Sequence, residues 1–123
     1  MSFQGKQSPS FRFLRRERLK RRDTIREIFK RGKTVTCSGA KLFFLGNGLP
    51  YNRIVFTFAR KYGNAVNRNR ARRVGREAYR HIRNELTAGY DLVLLVYPGK
   101  DRFARRMEQV RILFSKAGLF YGN

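Results

Sequence analysis

The chain has 123 residues, with 29 lysines and arginines against eight acids and a formal charge of +21. That length suits a single domain, and a charge so far from zero repels itself in the compact state unless a polyanion offsets it, the best candidate being a nucleic acid whose phosphates release counterions on contact. The sequence shows neither the apolar run of a signal peptide nor the roughly 20 apolar residues of a spanning helix, so a soluble, cytoplasmic protein with no membrane partner is expected.

Residues 1–16 mix Ser, Gln, Gly, Pro and Arg with Phe3, Phe11 and Phe13 and show no period, which predicts a flexible basic arm ahead of a single domain, 17–123. Thr24, Ile25, Arg26 and Glu27 have the spacing of a capping box, and Ile25, Ile28 and Phe29 share one stripe. A short helix over 23–31 follows from this, with Gly32 as a left-handed stop. Residues 34–36 and 40–45 are β-prone, the first segment weakly marked. The turn-rich stretch 46–50 then predicts an antiparallel hairpin with a strand over 53–58.

An arginine-rich helix comes next, ending near Thr87 with Gly89 as its stop. The apolar run 91–97 suits a strand buried on both faces and closed by Pro98 and Gly99. Phe103, Met107, Val110, Leu113 and Phe114 recur at helical spacing over 102–117. The expected order is α-β-β-β-α-β-α, an α+β domain.

Between residues 67 and 83 stand Arg68, Arg70, Arg72, Arg73, Arg76, Arg80 and Arg83, with Glu77 as the one acid. At 100° per residue, Asn69, Arg72, Arg73, Arg76, Arg80 and Arg83 fall on one side of the cylinder, and Ala71, Val74, Ala78 and Ile82 on the other. A solvated helix normally interleaves Glu with Lys for support four residues away. Stacking like charge on like charge instead presents planar guanidinium forks that match phosphate geometry. The arginines are too many and too uniform for base reading in a DNA groove, which favours folded RNA over DNA. Phe29 and Phe43 are candidates for stacking on unpaired bases.

A protein-borne hydrolase needs paired carboxylates, a nucleophile with its base, or a metal cluster. One His, one Cys and eight acids supply little. His81 has no second His to join it in a metal site, Asp91 and Asp101 read as cap or turn residues, and Cys37 can form no internal disulfide. No catalytic residue and no protein-bound metal are expected.

Residues 62–77, from Tyr62-Gly63-Asn64 through Arg68-Asn69-Arg70 to Arg76-Glu77, closely resemble the RNR segment of the protein subunit of bacterial ribonuclease P. Upstream, Arg18-Leu19-Lys20-Arg21-Arg22 and Phe29-Lys30-Arg31-Gly32-Lys33 agree with that family. Downstream, Gly89-Tyr90-Asp91 leads into the apolar strand and final helix as it does there, so the likeness spans about residues 18–120.

The resemblance implies a two-layer α/β sandwich, ribosomal protein S5 domain 2-like, with a left-handed β-α-β crossover between the strands at 53–58 and 91–97, against the usual right-handed preference. It implies a protein cofactor, monomeric in the holoenzyme, for an RNA that uses Mg²⁺ to remove the 5′ leader of precursor tRNA. Arg68, Asn69, Arg70, Arg72, Arg73 and Arg76 would face the catalytic RNA. Ile25, Phe29, Phe43, Thr57 and Lys61 would line a cleft for the leader, between the first helix and one sheet face. Ile25 stands where many relatives carry an aromatic, Ala71 replaces a larger aliphatic, and Gly75 interrupts the arginine helix. The alternatives are a structural RNA-binding protein of ribosomal type, without a substrate cleft, and an independent nuclease.

Overall fold

The computed structural model of the chain describes residues 15–99 and 102–121. A 3-10 turn, Arg15–Glu17, leads into α1 (Arg22–Arg31), β1 (Lys33–Cys37), β2 (Ala40–Gly46), β3 (Arg53–Phe58), α2 (Ala65–Ile82), a 3-10 turn Arg83–Glu85, β4 (Tyr90–Val96) and α3 (Phe103–Lys116). Of the expected arm, Arg15 and Arg16 open the first 3-10 turn, and the rest lies outside the described residues, as does Asp101.

The sheet runs in the order β1-β2-β4-β3. β4 carries four consecutive buried residues, Asp91 to Leu94. It therefore lies inside the sheet, antiparallel to β2 through Phe44↔Leu92 and parallel to β3 through Ile54↔Leu92. This corrects the hairpin expected between the second and third strands, because the doubly apolar β4 inserts between them. The loop at 46–50 docks on the entry to β4 instead, with the Asn47 amide donating to the Gly89 carbonyl at 2.8 Å. The hairpin that does form joins β1 to β2 through Ser38 and Gly39, the latter at φ 88°, where a glycine meets no strain.

Strand alternation divides the core in two. Leu42, Phe44, Ile54, Phe56, Leu92, Leu94 and Val96 face α2 and α3, where Tyr79, Ile82, Leu113 and Phe114 are fully or almost fully buried. On the other face Ile28 of α1, Leu19 and Val93 form a smaller cluster, flanked by Ile25, Phe43, Leu45 and Val55. Among the described residues α1 is the one helix on this second face, with Leu19 packed beside it.

Two local expectations change. α1 begins at Arg22, so Thr24 lies inside it rather than at its cap, and Asp23 Oδ1 accepts the Thr24 amide at 2.9 Å. Gly32 is extended, at φ −74° and ψ 161°, not left-handed. Its role is close approach, since a Cβ there would stand 2.5 Å from the Ile28 carbonyl oxygen and 2.9 Å from that of Phe44. α2 ends at Ile82, five residues short of Thr87, because the 3-10 turn tightens the chain toward β4.

Candidate nucleic-acid interface

α2 starts where the Asn64 side chain accepts the Asn67 amide at 2.9 Å, satisfying one of the first-turn donors. From there the helix packs through Ala71, Gly75, Ala78, Tyr79 and Ile82. Tyr79 and Gly75 turn the buried stripe away from Val74, which is only half-buried. Arg73 consequently points straight outward, while Arg72 and Arg76 lie along the flank beside β3 and Arg70 along the other.

Arg68, Asn69, Arg70 and Arg73 are exposed, and Arg72 and Arg76 are half-buried. Arg72 sets its guanidinium 5.2 Å over the Phe58 ring and donates to Asn69 Oδ1 at 3.0 Å. The contact with Phe58 and the bond to Asn69 fix its direction. Among the described residues, Arg68, Arg70, Arg72 and Arg73 meet no carboxylate. Burial pulls the Arg76 guanidinium below the usual arginine value, and the like charges of Arg18 and Arg72 add to that. Arg18 and Lys20 join Arg72 and Arg76 around a crevice of about 170 Å³ floored by Ile54, Val55 and Phe56. Sequence reading missed Arg18 and Lys20, whose place beside α2 depends on the pairing of Arg18 with Ile54 at the sheet edge.

Two arginines of the expected face do other work. Arg83 is withdrawn into the body, with 10% of its side chain exposed, and pairs with Glu17, itself buried. Arg80 donates to Glu77 Oε1 at 2.7 Å. His81 is exposed, 3.4 Å from Glu77 and edge-on to Phe103.

The second surface is the sheet face beneath α1. Register aligns Phe43 with Val93 and Val55 in one row, and Lys41 with Leu95 and Thr57 in the next. Phe29 of α1, 44% exposed, meets Phe43 edge-on at 4.7 Å between ring centroids. Ile25 packs against the same cluster. Ile25, Phe29 and Phe43 are thus brought together, with Thr57 one row away on the same face. Lys61 sits in the loop after β3, exposed and at φ 67°, outside that cluster. Val55, Lys41 and Leu95 share this sheet face and were absent from the sequence reading, although alternation from Phe43 and Thr57 marks them. Lys41 Nζ also lies 6.0 Å over the Tyr97 ring.

Acid chemistry is sparse. Asp91 is buried and bound by Arg53 through two contacts of 2.8 Å and by Asn47 at 2.9 Å, so its oxygens are committed to the fold. Among the described residues no group of three His, Cys, Asp or Glu side chains could hold a metal ion, and no helix is long and apolar enough to cross a membrane. Burial raises the Cys37 thiol above its usual value.

The family model described as Ribonuclease P matches residues 13–118. The ribonuclease P protein component of Thermotoga petrophila is 36% identical over 98 residues, covering 80% of this chain and 81% of the relative. That of Borrelia duttonii is 40% identical over 83 residues, covering 67% and 73%. Among solved structures, the ribonuclease P protein from Thermotoga maritima superposes with a TM-score of 0.71 at 30% identity, covering 81% of this chain and 96% of that one. The Staphylococcus aureus protein, at 20% identity, shares the fold with a TM-score of 0.76 over 85% and 97%.

Proposed function

This chain belongs to the ribonuclease P protein family, and we propose that it binds the catalytic RNA of ribonuclease P through α2 and the 5′ leader of precursor tRNA through the cleft under α1. The observation that carries this is the row of guanidiniums at Arg68, Arg70, Arg72 and Arg73, none of which meets a carboxylate of the described chain. Such a surface lowers the repulsion between two RNAs. Arg68, Asn69, Arg70, Arg72, Arg73 and Arg76 hold the catalytic RNA, and Ile25, Phe29, Phe43, Thr57 and Lys61 receive the leader.

In this reading the protein supplies no catalytic group, since Asp91 is held in a structural pair and His81 stands beside Glu77 on the exposed side of α2. The RNA performs the endonucleolytic cut with Mg²⁺. The protein contributes substrate affinity and reduces the Mg²⁺ required, because its arginines replace counterions that the metal would otherwise provide. It works in the cytoplasm as one copy per holoenzyme.

A photoreactive group at Phe43 or Thr57 tests the cleft. Crosslinking to the unpaired leader of a precursor tRNA, in the presence of the catalytic RNA, is the expected result. A structural ribosomal-type protein would give no leader adduct, and that outcome would replace the reading.

A further inference from the structure

The outward side of α1 carries Arg22, Arg26 and Lys30, all exposed and four residues apart. Each step along the helix is about 6 Å, comparable to the separation of successive phosphates on an extended strand. The two acids of α1 are neutralised elsewhere, Asp23 by Arg21 at 3.3 Å and Glu27 by Arg31 at 3.1 Å. Among the described residues the three cations meet no carboxylate. Like charges at this spacing weaken a helix, and Arg22 also sits in the first turn, where the dipole disfavours a cation. Lys30 gains from its place in the last turn, but Arg22 and the Arg26 beside it work against the helix, and a phosphate strand outside the chain would offset that cost.

Phe29 identifies the partner. It adjoins Lys30, stands one turn beyond Arg26, and borders the cleft edge-on to Phe43. Aromatics next to a line of cations suit a single strand, which offers base faces and phosphates together, whereas a duplex keeps its bases stacked. α1 lies on the sheet face opposite α2, so these cations are separate from the arginine face. We propose that Arg22, Arg26 and Lys30 form a rail for the phosphates of the same unpaired RNA strand whose bases enter the cleft beside Phe29. The inference rests on the leader-cleft reading and adds to it a backbone contact outside the cleft.

The test is the full chain with Arg22→Gln, Arg26→Gln and Lys30→Gln, assembled with the catalytic RNA. Binding is measured against salt for precursor tRNA with a long unpaired leader and with a one-nucleotide leader. Each phosphate on a single strand contributes about 0.7 to the salt slope, so the long-leader slope falls by about 2 and affinity drops at least tenfold at low salt. The short-leader substrate and the affinity for catalytic RNA stay unchanged. An Arg22→Lys, Arg26→Lys variant, which keeps the charge, retains long-leader affinity. Equal losses for both leaders, weaker assembly with the catalytic RNA, or an unchanged slope would overturn the rail. Phe29→Ala with Phe43→Ala, run in parallel, separates the two readings. If this pair loses leader affinity and the glutamine variant does not, the rail alone fails; if neither does, the cleft fails with it.

Discussion

The ring of Phe56 on β3 occupies the space where a side chain at Gly75 of α2 would stand, so that a Cβ there would lie 2.8 and 2.9 Å from two ring carbons. The glycine costs the helix about 1 kcal/mol against alanine, and in return the helix backbone settles onto the aromatic core. Its approach sets the rotation of α2 and with it the direction of Arg72, Arg73 and Arg76. Gly75→Ala is expected to destabilise the protein by up to about 2 kcal/mol, the overpacking cost exceeding the gain in propensity. In a Phe56→Leu background the same change becomes neutral or stabilising. Thermal unfolding of the four proteins decides, and a rise in midpoint for Gly75→Ala alone would contradict the packing argument.

Arg73 and Arg83 belong to the same arginine-rich segment and should fail differently. Arg73 is exposed and meets no carboxylate of the described residues, so Arg73→Ala leaves the unfolding free energy within about 0.5 kcal/mol while weakening assembly with catalytic RNA. The salt slope should become shallower by about one unit. Arg83→Ala removes an ion-pair partner of the buried Glu17 and destabilises the fold by up to about 3 kcal/mol, well beyond the effect of Arg73→Ala. Equal stability losses in the two variants would erase the distinction.

Asp91 should prove structural. Asp91→Asn removes the charge that Arg53 grips with two donors and leaves a guanidinium only one quarter exposed. Breaking a fully buried pair costs roughly 3 to 5 kcal/mol, and the partial exposure of Arg53 places this loss at or below the lower end. Denaturant unfolding measures it. Cleavage by the assembled holoenzyme, at a temperature where the variant is folded, should be unchanged, and a large loss there would give Asp91 a role in the reaction.

The aromatic pair in the cleft predicts a leader-dependent defect. Base stacking on an aromatic contributes about 1 to 3 kcal/mol per base, so Phe43→Ala should weaken binding of a long-leader precursor about 5- to 150-fold and leave mature tRNA unaffected. Phe29 touches Phe43, so the double variant should lose less than the two single losses combined. Equilibrium binding of both RNAs provides the check.

The arginine face was legible because helical period alone separates Arg73 from Ala71 and Ala78. Its limits were not. Tyr79 and Gly75 carry no strong apolar signal yet join the buried stripe, and the partner of Arg83 lies 66 residues away. The hairpin was misplaced for a similar reason. Residues 46–50 look like a strand-to-strand turn, but the demand of β4 for burial on both faces, a property of the whole sheet, decided the pairing. Gly32 shows the same limit at one residue, its small size serving carbonyls of α1 and β2 that no local pattern brings together. On the sheet face under α1, Phe43 alternates with the buried Leu42 and Phe44, a pattern the sequence carries, whereas the company of Val55 and Leu95 depended on strand order.

Cleavage of precursor tRNA by a bacterial ribonuclease P RNA, at a Mg²⁺ concentration too low for the RNA alone, tests most directly whether this chain serves a catalytic RNA. Adding the protein should restore 5′-leader removal, with Arg73→Ala requiring more protein for the same rate. Unchanged cleavage with the folded protein present, or cleavage by the protein without any catalytic RNA, would contradict it.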